Sequence, residues 1–359
     1  MKEHDKIPRR SFIRTLTAGT AGSALLTGAA AAGVTARSAG RNAGSEPFTG
    51  SATEPHRVTV AESSPLLNMT HNTKREVQTS TSEIKLGISS YSYWHFAPEK
   101  TPIEYVIEEA SRLNAPAVDI LHRQMESEDP DYLLGLKRHA LIHGVDLNCL
   151  STHQDFVTPD PEERQESIEN TKRYIRLAHH LGISCMRVSA GRWDTSGSFS
   201  ALMDNKGIEP PLEGYTEDDA YEWVIGAMEQ LIPVAEEHGV MLGLENHWGM
   251  TRTAEGILRI MEPFDSPWLG VLLDTGNFLE RPYEQMEMLA PHTVFVQAKT
   301  YYGGGRYYTI DIDYNRIAEI LRNAEYRGYV SIEFEGYEES EVAVAETISL
   351  LRNAFDIQG

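Results

Sequence analysis

From residue 83 onward the chain repeats one texture. A short, mostly apolar run gives way to a polar loop, then to a longer stretch whose apolar positions recur every three or four residues. The runs at 84–90, 117–121, 146–151, 185–190, 241–246, 270–274, 294–299 and 329–334 predict eight strands. The stretches at 103–113, 168–181, 220–237 and 314–324 predict amphipathic helices among them. Glycine stands where a helix C-cap is expected in His143-Gly144-Val145, Leu181-Gly182-Ile183, His238-Gly239-Val240 and Arg327-Gly328-Tyr329. Strands alternating with helices imply a parallel sheet. Eight such units within 83–359 have the size of a closed (β/α)8 TIM barrel, an α/β fold. The rival is an open doubly wound sheet, which usually carries an early Gly-rich nucleotide turn. Gly87 and its neighbours make no such turn. Gly303-Gly304-Gly305 opens no helix and reads as a flexible loop, not a phosphate cradle.

Residues before 83 lack this period. Pro8-Arg9-Arg10-Ser11-Phe12-Ile13-Arg14 precedes an apolar, alanine-rich run from Leu16 to Ala32. Paired arginines, an apolar run and small residues, in that order, predict a twin-arginine export signal over 1–39. The run is too rich in Gly, Ala and Thr to make a good permanent span, and no Cys near its end could carry a lipid. Residues 40–82 are rich in Ser, Thr, Asn and Glu and read as a flexible linker. The expected location is periplasmic or extracellular.

Charge adds an exclusion. The 359 residues carry 32 Lys+Arg and 53 Asp+Glu, a formal net charge of −21. Residues 1–82 sum to +4, which leaves −25 on the barrel. A body that acidic repels phosphate backbones and anionic lipid. It argues against a nucleic-acid partner and against stable membrane association of the mature chain. Cys149 and Cys185 are the only cysteines, which excludes a disulfide scaffold and a Cys-rich zinc module. They read as buried free thiols.

In a barrel of this kind the active site lies at the C-terminal strand ends. Strand five ends Leu244-Glu245-Asn246-His247 and strand six ends Leu273-Asp274. Strand seven contains Val296-Gln297-Ala298-Lys299, and strand eight contains Ile332-Glu333-Phe334-Glu335. Four consecutive strands thus each place an oxygen-bearing side chain in or just after an apolar run. Burying carboxylates there is costly without a cationic partner. One divalent metal ion is the simplest partner. An oxygen-rich set suits Mn²⁺ or Mg²⁺, with Co²⁺ also admitted.

At these residues the chain resembles the xylose-isomerase-like TIM-barrel superfamily of sugar isomerases and epimerases. The resemblance covers 84–356 and rests on Leu244-Glu245-Asn246-His247, Leu273-Asp274-Thr275-Gly276-Asn277 and Gly328-Tyr329-Val330-Ser331-Ile332-Glu333. It implies one divalent metal held by Glu245, Asp274, Gln297 and Glu333, and a small carbohydrate substrate. It also implies Glu245 and Glu333 as the catalytic pair. One would take a proton from the carbon beside a carbonyl, and the other would return it, through a metal-stabilised enediolate. Two positions depart from the pattern of the ketose epimerases. Gln297 stands where they often carry His, and Asn277 replaces a His that often follows the strand-six Asp by three.

His153, His247, Lys299, Arg306 and Trp94 are candidate substrate-binding residues. His247 is two past Glu245 and Lys299 two past Gln297, so strand periodicity aims each pair to one side. Each candidate has a structural alternative: a rim histidine for His153, a supporting role behind Glu245 for His247, an ion pair with the acidic rim for Lys299, solvent for Arg306 and packing for Trp94. Arg187 on strand four, if it points inward, must pair with acid, and Glu335 is expected to pair with Arg187 or Lys299. The loop 191–215 and the tyrosines at 301, 302, 307 and 308 suit a lid, carbohydrate stacking or contacts of a homo-oligomer. The expected function is a metal-dependent isomerase or epimerase of a sugar or keto-sugar. A lyase or dehydratase acting on keto-inositols or 3-keto-glycosides is the alternative, and a non-catalytic sugar-binding barrel the next.

Overall fold

Eight short parallel strands close into a barrel in chain order, as a computed structural model of the protein shows for residues 84–358. The strands are β1 (Lys85–Ser89), β2 (Ala117–Leu121), β3 (Asp146–Ser151), β4 (Cys185–Val188), β5 (Met241–Glu245), β6 (Leu269–Asp274), β7 (Thr293–Thr300) and β8 (Tyr329–Phe334). Around them run α1 (Ile103–Arg112), α2 (Pro130–His143), α3 (Pro161–Leu181), α4 (Phe199–Asp204), α5 (Glu217–His238), α6 (Ala254–Met261), α7 (Pro282–Leu289), α8 (Tyr314–Asn323) and α9 (Ser340–Phe355). All eight expected strands are present. The predicted export signal and linker lie outside the described residues. Among the described residues no helix is long and apolar enough to cross a membrane.

The strands lie between a filled barrel interior and the helix layer, so both their faces are covered. β2, β4 and β6 are buried along their whole length, as parallel strands under helices must be. Helix starts follow polar capping. Asp160 accepts from the N–H groups of Glu162 and Glu163 and starts α3, seven residues earlier than its apolar period begins. Thr216 and Asp219 form a reciprocal capping box at the start of α5.

The structure corrects three local expectations. β4 stops at Val188, two residues short, because the Ser189 N–H donates to Gln154 Oε1 at 3.0 Å instead of continuing the ladder. Gly144, Gly182 and Gly239 take the left-handed C-cap conformation, but Gly328 does not. After α8 the left-handed turn falls on Glu325, and Gly328 has no room for a side chain because the Tyr326 hydroxyl crosses it where a Cβ would stand. The glycine triplet is also tied down. Gly305 bridges Gly336, and the Tyr337 N–H donates to Gly304 O at 3.0 Å, so the loop is pinned to the exit of β8. Cys149 and Cys185 are free and buried beside Leu272 and Phe295.

Candidate active site at the barrel mouth

Strand ends fix the site. Glu245 is the last residue of β5 and Asp274 the last of β6. Gln297 pairs with Asp274 in the β6–β7 register, and Glu333 pairs with Lys299 in the β7–β8 register. All four candidate ligands are buried: Glu245 1%, Asp274 0%, Gln297 0% and Glu333 6% exposed. The turns behind them are stitched by amides. Asn246 Nδ2 donates to Asp274 O at 2.8 Å, and the Asp274 N–H donates to Asn246 Oδ1 at 2.7 Å. Asn277 Nδ2 donates to Asn246 O at 2.9 Å. These bonds continue the β5–β6 ladder after the backbone has left it.

Two buried cations stand among the acids. Lys299 Nζ lies 3.3 Å from Asp274 Oδ2, 3.4 Å from Glu333 Oε2 and 3.4 Å from Glu335 Oε1, and donates to Asn277 Oδ1 at 2.9 Å. Arg187 Nη1 lies 3.3 Å from Glu245 Oε1, while its Nε and Nη2 donate to Thr152 O. The expected acid partners of Arg187 and Glu335 are therefore in place. A fifth buried acid, Asp119 on β2, was not among the sequence candidates. Its only signal was a lone acid inside an apolar strand, Ala117-Val118-Asp119-Ile120-Leu121. Burial pushes the Asp119 carboxyl up to about 6, against the hydrogen bonds from Gln297 and Ser151. Burial likewise lifts Glu245 to about 7, with Arg187 opposing, and raises Asp274 and Glu335. For Lys299 burial works downward, but Asp274, Glu335 and Glu333 outweigh it and hold the ammonium protonated.

The profile of the family described as xylose isomerase-like TIM barrel matches residues 107–354. The chain belongs to this family. It is also 24% identical over 224 residues to 3-oxo-isoapionate decarboxylase of Pectobacterium atrosepticum, an overlap of 60% of this chain and 68% of that one. Similar solved folds include the D-psicose 3-epimerase of Clostridium cellulolyticum H10, at TM-score 0.61 and 16% identity over 76% of this chain and 99% of that one. The 3-keto-D-glucoside 4-epimerase of E. coli follows at TM-score 0.57 and 16% identity, over 75% and 99%.

This family member carries a ring of aromatic side chains above the acids. Phe199 on α4 packs 5.4 Å from Tyr307 and 6.2 Å from Trp248, ring to ring. Trp248 meets Tyr308 at 5.7 Å, and the Tyr308 hydroxyl donates to Gly276 O at 3.1 Å. The 191–215 loop thus reaches across to the strand-seven loop. Trp94 is buried beside Tyr91 and Leu121 and donates to Ala97 O at 2.8 Å. His153 lies 3.1 Å from Arg187 Nη2 and so belongs to the site. The backbone N–H of His247 donates to Thr251 O at 3.2 Å, and its ring packs on Trp248 at 5.3 Å. The Arg306 backbone N–H donates to Glu335 O at 3.0 Å. The Arg306 side chain is exposed, donates to Gly336 O at 2.9 Å and covers the Tyr337 ring.

The donor set fits a hard divalent cation. Five buried carboxylates, Asp119, Glu245, Asp274, Glu333 and Glu335, face two buried cations, Arg187 and Lys299. Gln297 Oε1 and Asp274 Oδ2 are buried; Gln297 Oε1 has no hydrogen-bond partner and Asp274 Oδ2 has only Lys299 Nζ at 3.3 Å. A cation would satisfy both oxygens and favour the ionised carboxylates that burial opposes. A second group with ligand character lies elsewhere. Glu108 on α1 and His139 and His143 on α2 bring ligand atoms within 4.8 Å of one another. They occupy the helix layer, with the two histidines in the last turns of α2, at the end of the barrel away from the strand C-termini.

Proposed function

We propose that this protein is a metal-dependent enzyme that moves a proton on a sugar or keto-sugar, an isomerase or epimerase by reaction class. The observation that carries this reading is the buried oxygen set on four consecutive strands, with Gln297 Oε1 left without a hydrogen-bond partner. Glu245, Asp274, Gln297 and Glu333 would hold Mn²⁺, Mg²⁺ or Co²⁺. The ion supplies positive charge beside the substrate oxygens that gain negative charge as the proton leaves. The side chains do the rest. Glu245 and Glu333 rise from strands separated by β6 and β7 and approach a substrate from two sides. One removes the proton from the carbon beside the carbonyl, and the other delivers it to the opposite face or the neighbouring carbon. Lys299 is a fixed ammonium beside Asp274 and Glu333, placed to steady the same developing charge. The aromatic ring above gives apolar faces on which a sugar ring can lie and limits water.

A lyase is the second reading. The similarity to a 3-oxo-acid decarboxylase favours it, as does the Lys299–Arg187 pair. Loss of carbon dioxide from a 3-oxo acid leaves the same enolate charge that proton removal leaves. Product analysis by NMR of the metal-loaded chain separates the readings. Isomerisation conserves the mass of a keto-sugar, whereas a lyase releases carbon dioxide or a leaving group. Conversion of 3-oxo acids alone, with every neutral keto-sugar untouched, would contradict the first reading.

The work place we assign is outside the cytoplasm, on the strength of the Arg9-Arg10 pair and the apolar run after it. Lysine at both positions should leave the precursor in the cytoplasm. Unchanged export of that variant would remove the assignment.

A further inference from the structure

Three of the four proposed ligands are carboxylates, which offer oxygen whichever way they turn. The fourth is an amide, which does not. One end of Gln297 accepts and the other donates, and the wrong end presents N–H to a cation. Nothing within Gln297 makes that choice.

Its surroundings do. Gln297 Nε2 donates to Asp119 Oδ2 at 2.8 Å and to Ser151 Oγ at 3.2 Å. Ser151 Oγ in turn donates to Asp119 Oδ1 at 2.8 Å. Asp119 and Gln297 are fully buried, and Ser151 is 1% exposed. Both amide hydrogens are used, and Oε1 is the atom left without a partner. Turning the amide would break both Nε2 bonds and set Oε1 against the Asp119 oxygen. That reversal is costly on both counts. The three residues come from β2, β3 and β7, so the contact exists only because the barrel closes.

We propose that Asp119, anchored by Ser151, is a positioning residue that turns the Gln297 amide oxygen away from itself and makes it available beside Asp274, completing an all-oxygen site for a hard divalent cation. This deepens the reading above and rests on it. Asp119 acts through Gln297 and touches neither substrate nor ion.

The test is Mn²⁺ binding to the metal-stripped full-length chain, followed by electron paramagnetic resonance of the free ion. Asp119→Leu removes the acceptor and should weaken binding about 10- to 100-fold, the usual effect of losing a partner behind a metal ligand. Asp119→Asn keeps an acceptor oxygen for the amide and should stay within about three-fold of wild type. Gln297→Ala should lose about as much as Asp119→Leu, and the double variant should be no weaker than Gln297→Ala alone. A role in general barrel stability would instead give independent, multiplying losses, and that result overturns the proposal. So does wild-type affinity in Asp119→Leu when Gln297→Ala binds weakly; the metal reading then survives. If Asp119→Leu does not fold, Ser151→Ala carries the test. Several-fold weaker binding supports the proposal and unchanged binding overturns it. A wild-type chain that takes up no Mn²⁺ at millimolar concentration overturns both the inference and the metal reading.

Discussion

At the barrel mouth, Glu245, Asp274, Glu333, Glu335 and Asp119 are packed out of water with two cations between them. On the outer helices, Glu108, His139 and His143 bring their ligand atoms within 4.8 Å of one another, a spacing that no three acids of the mouth share, and by residue type they are the better transition-metal set. The physical states differ. The Glu108 side chain is 53% exposed and lies 3.2 Å from His139 Nε2. His143 Nδ1 donates to the carbonyl of His139 one turn back. His139 Nε2 is buried without a hydrogen bond and has the Glu108 carboxylate beside it. At the mouth, Gln297 Oε1 has no partner and burial raises four of the five acids, Asp119, Glu245, Asp274 and Glu335. Proximity alone favours the helix cluster; we propose the mouth instead because its acids are buried together at the C-terminal side of the strands.

The comparison can be broken in several ways. The largest effect is expected from Glu245→Gln or Glu333→Gln, each lowering turnover about 10²- to 10⁴-fold, the usual scale for a lost acid–base group. Steady-state assays on the true substrate check it, and full activity in either variant would remove that residue from the pair. Lys299→Met should cut turnover about 10- to 100-fold through lost charge stabilisation. It should not weaken Mn²⁺ binding, because it removes a like charge from the ion's surroundings. Parallel kinetics and metal titration separate the two effects, and joint loss of both would show Lys299 to be mainly structural.

A smaller effect concerns pH. Burial lowers His95 from 6.5 to about 4, while its Nε2–H donates to Phe334 O at 2.7 Å. The unfolded chain therefore takes up this proton first. His95 favours the fold above pH 6.5, and that advantage is lost as pH falls toward 4. At pH 5 the loss is about 1–2 kcal/mol after discounting the part of the ring open to solvent. Urea titrations at pH 7 and pH 5 should show a smaller drop for His95→Gln than for wild type; equal drops would contradict the assignment. Smallest of all, His139→Ala with His143→Ala should leave turnover within about two-fold, since both lie in the helix layer away from the strand C-termini. Loss of activity there would move the functional centre to the outer helices.

Much of the barrel could be read along the chain because each strand announces itself locally. The acids that close β5, β6 and β8 were visible for the same reason: a charge at the end of an apolar run needs an explanation. Asp119 shows what local reading misses. Alone in β2 it looks like a tolerated polar residue, and its meaning comes from Gln297 on β7, which closure of the barrel brings within 2.8 Å. Asn246 and Asn277 are similar, since their amides act by continuing a ladder between strand ends. Arg306 is a different case: the sequence offers it substrate or solvent, and the fold adds a neighbour that the chain does not announce, since pinning of its loop to β8 brings its guanidinium to Gly336 O.

The most direct measurement is deuterium uptake from D₂O by keto-sugars incubated with the Mn²⁺-loaded full-length chain, read by NMR at the carbon beside the carbonyl. Enzyme-dependent exchange that disappears in Glu245→Gln or Glu333→Gln is the predicted result. A ligand that binds tightly in the metal-loaded site and is released chemically unchanged, with no exchange at any carbon, would contradict it and leave a barrel that only binds.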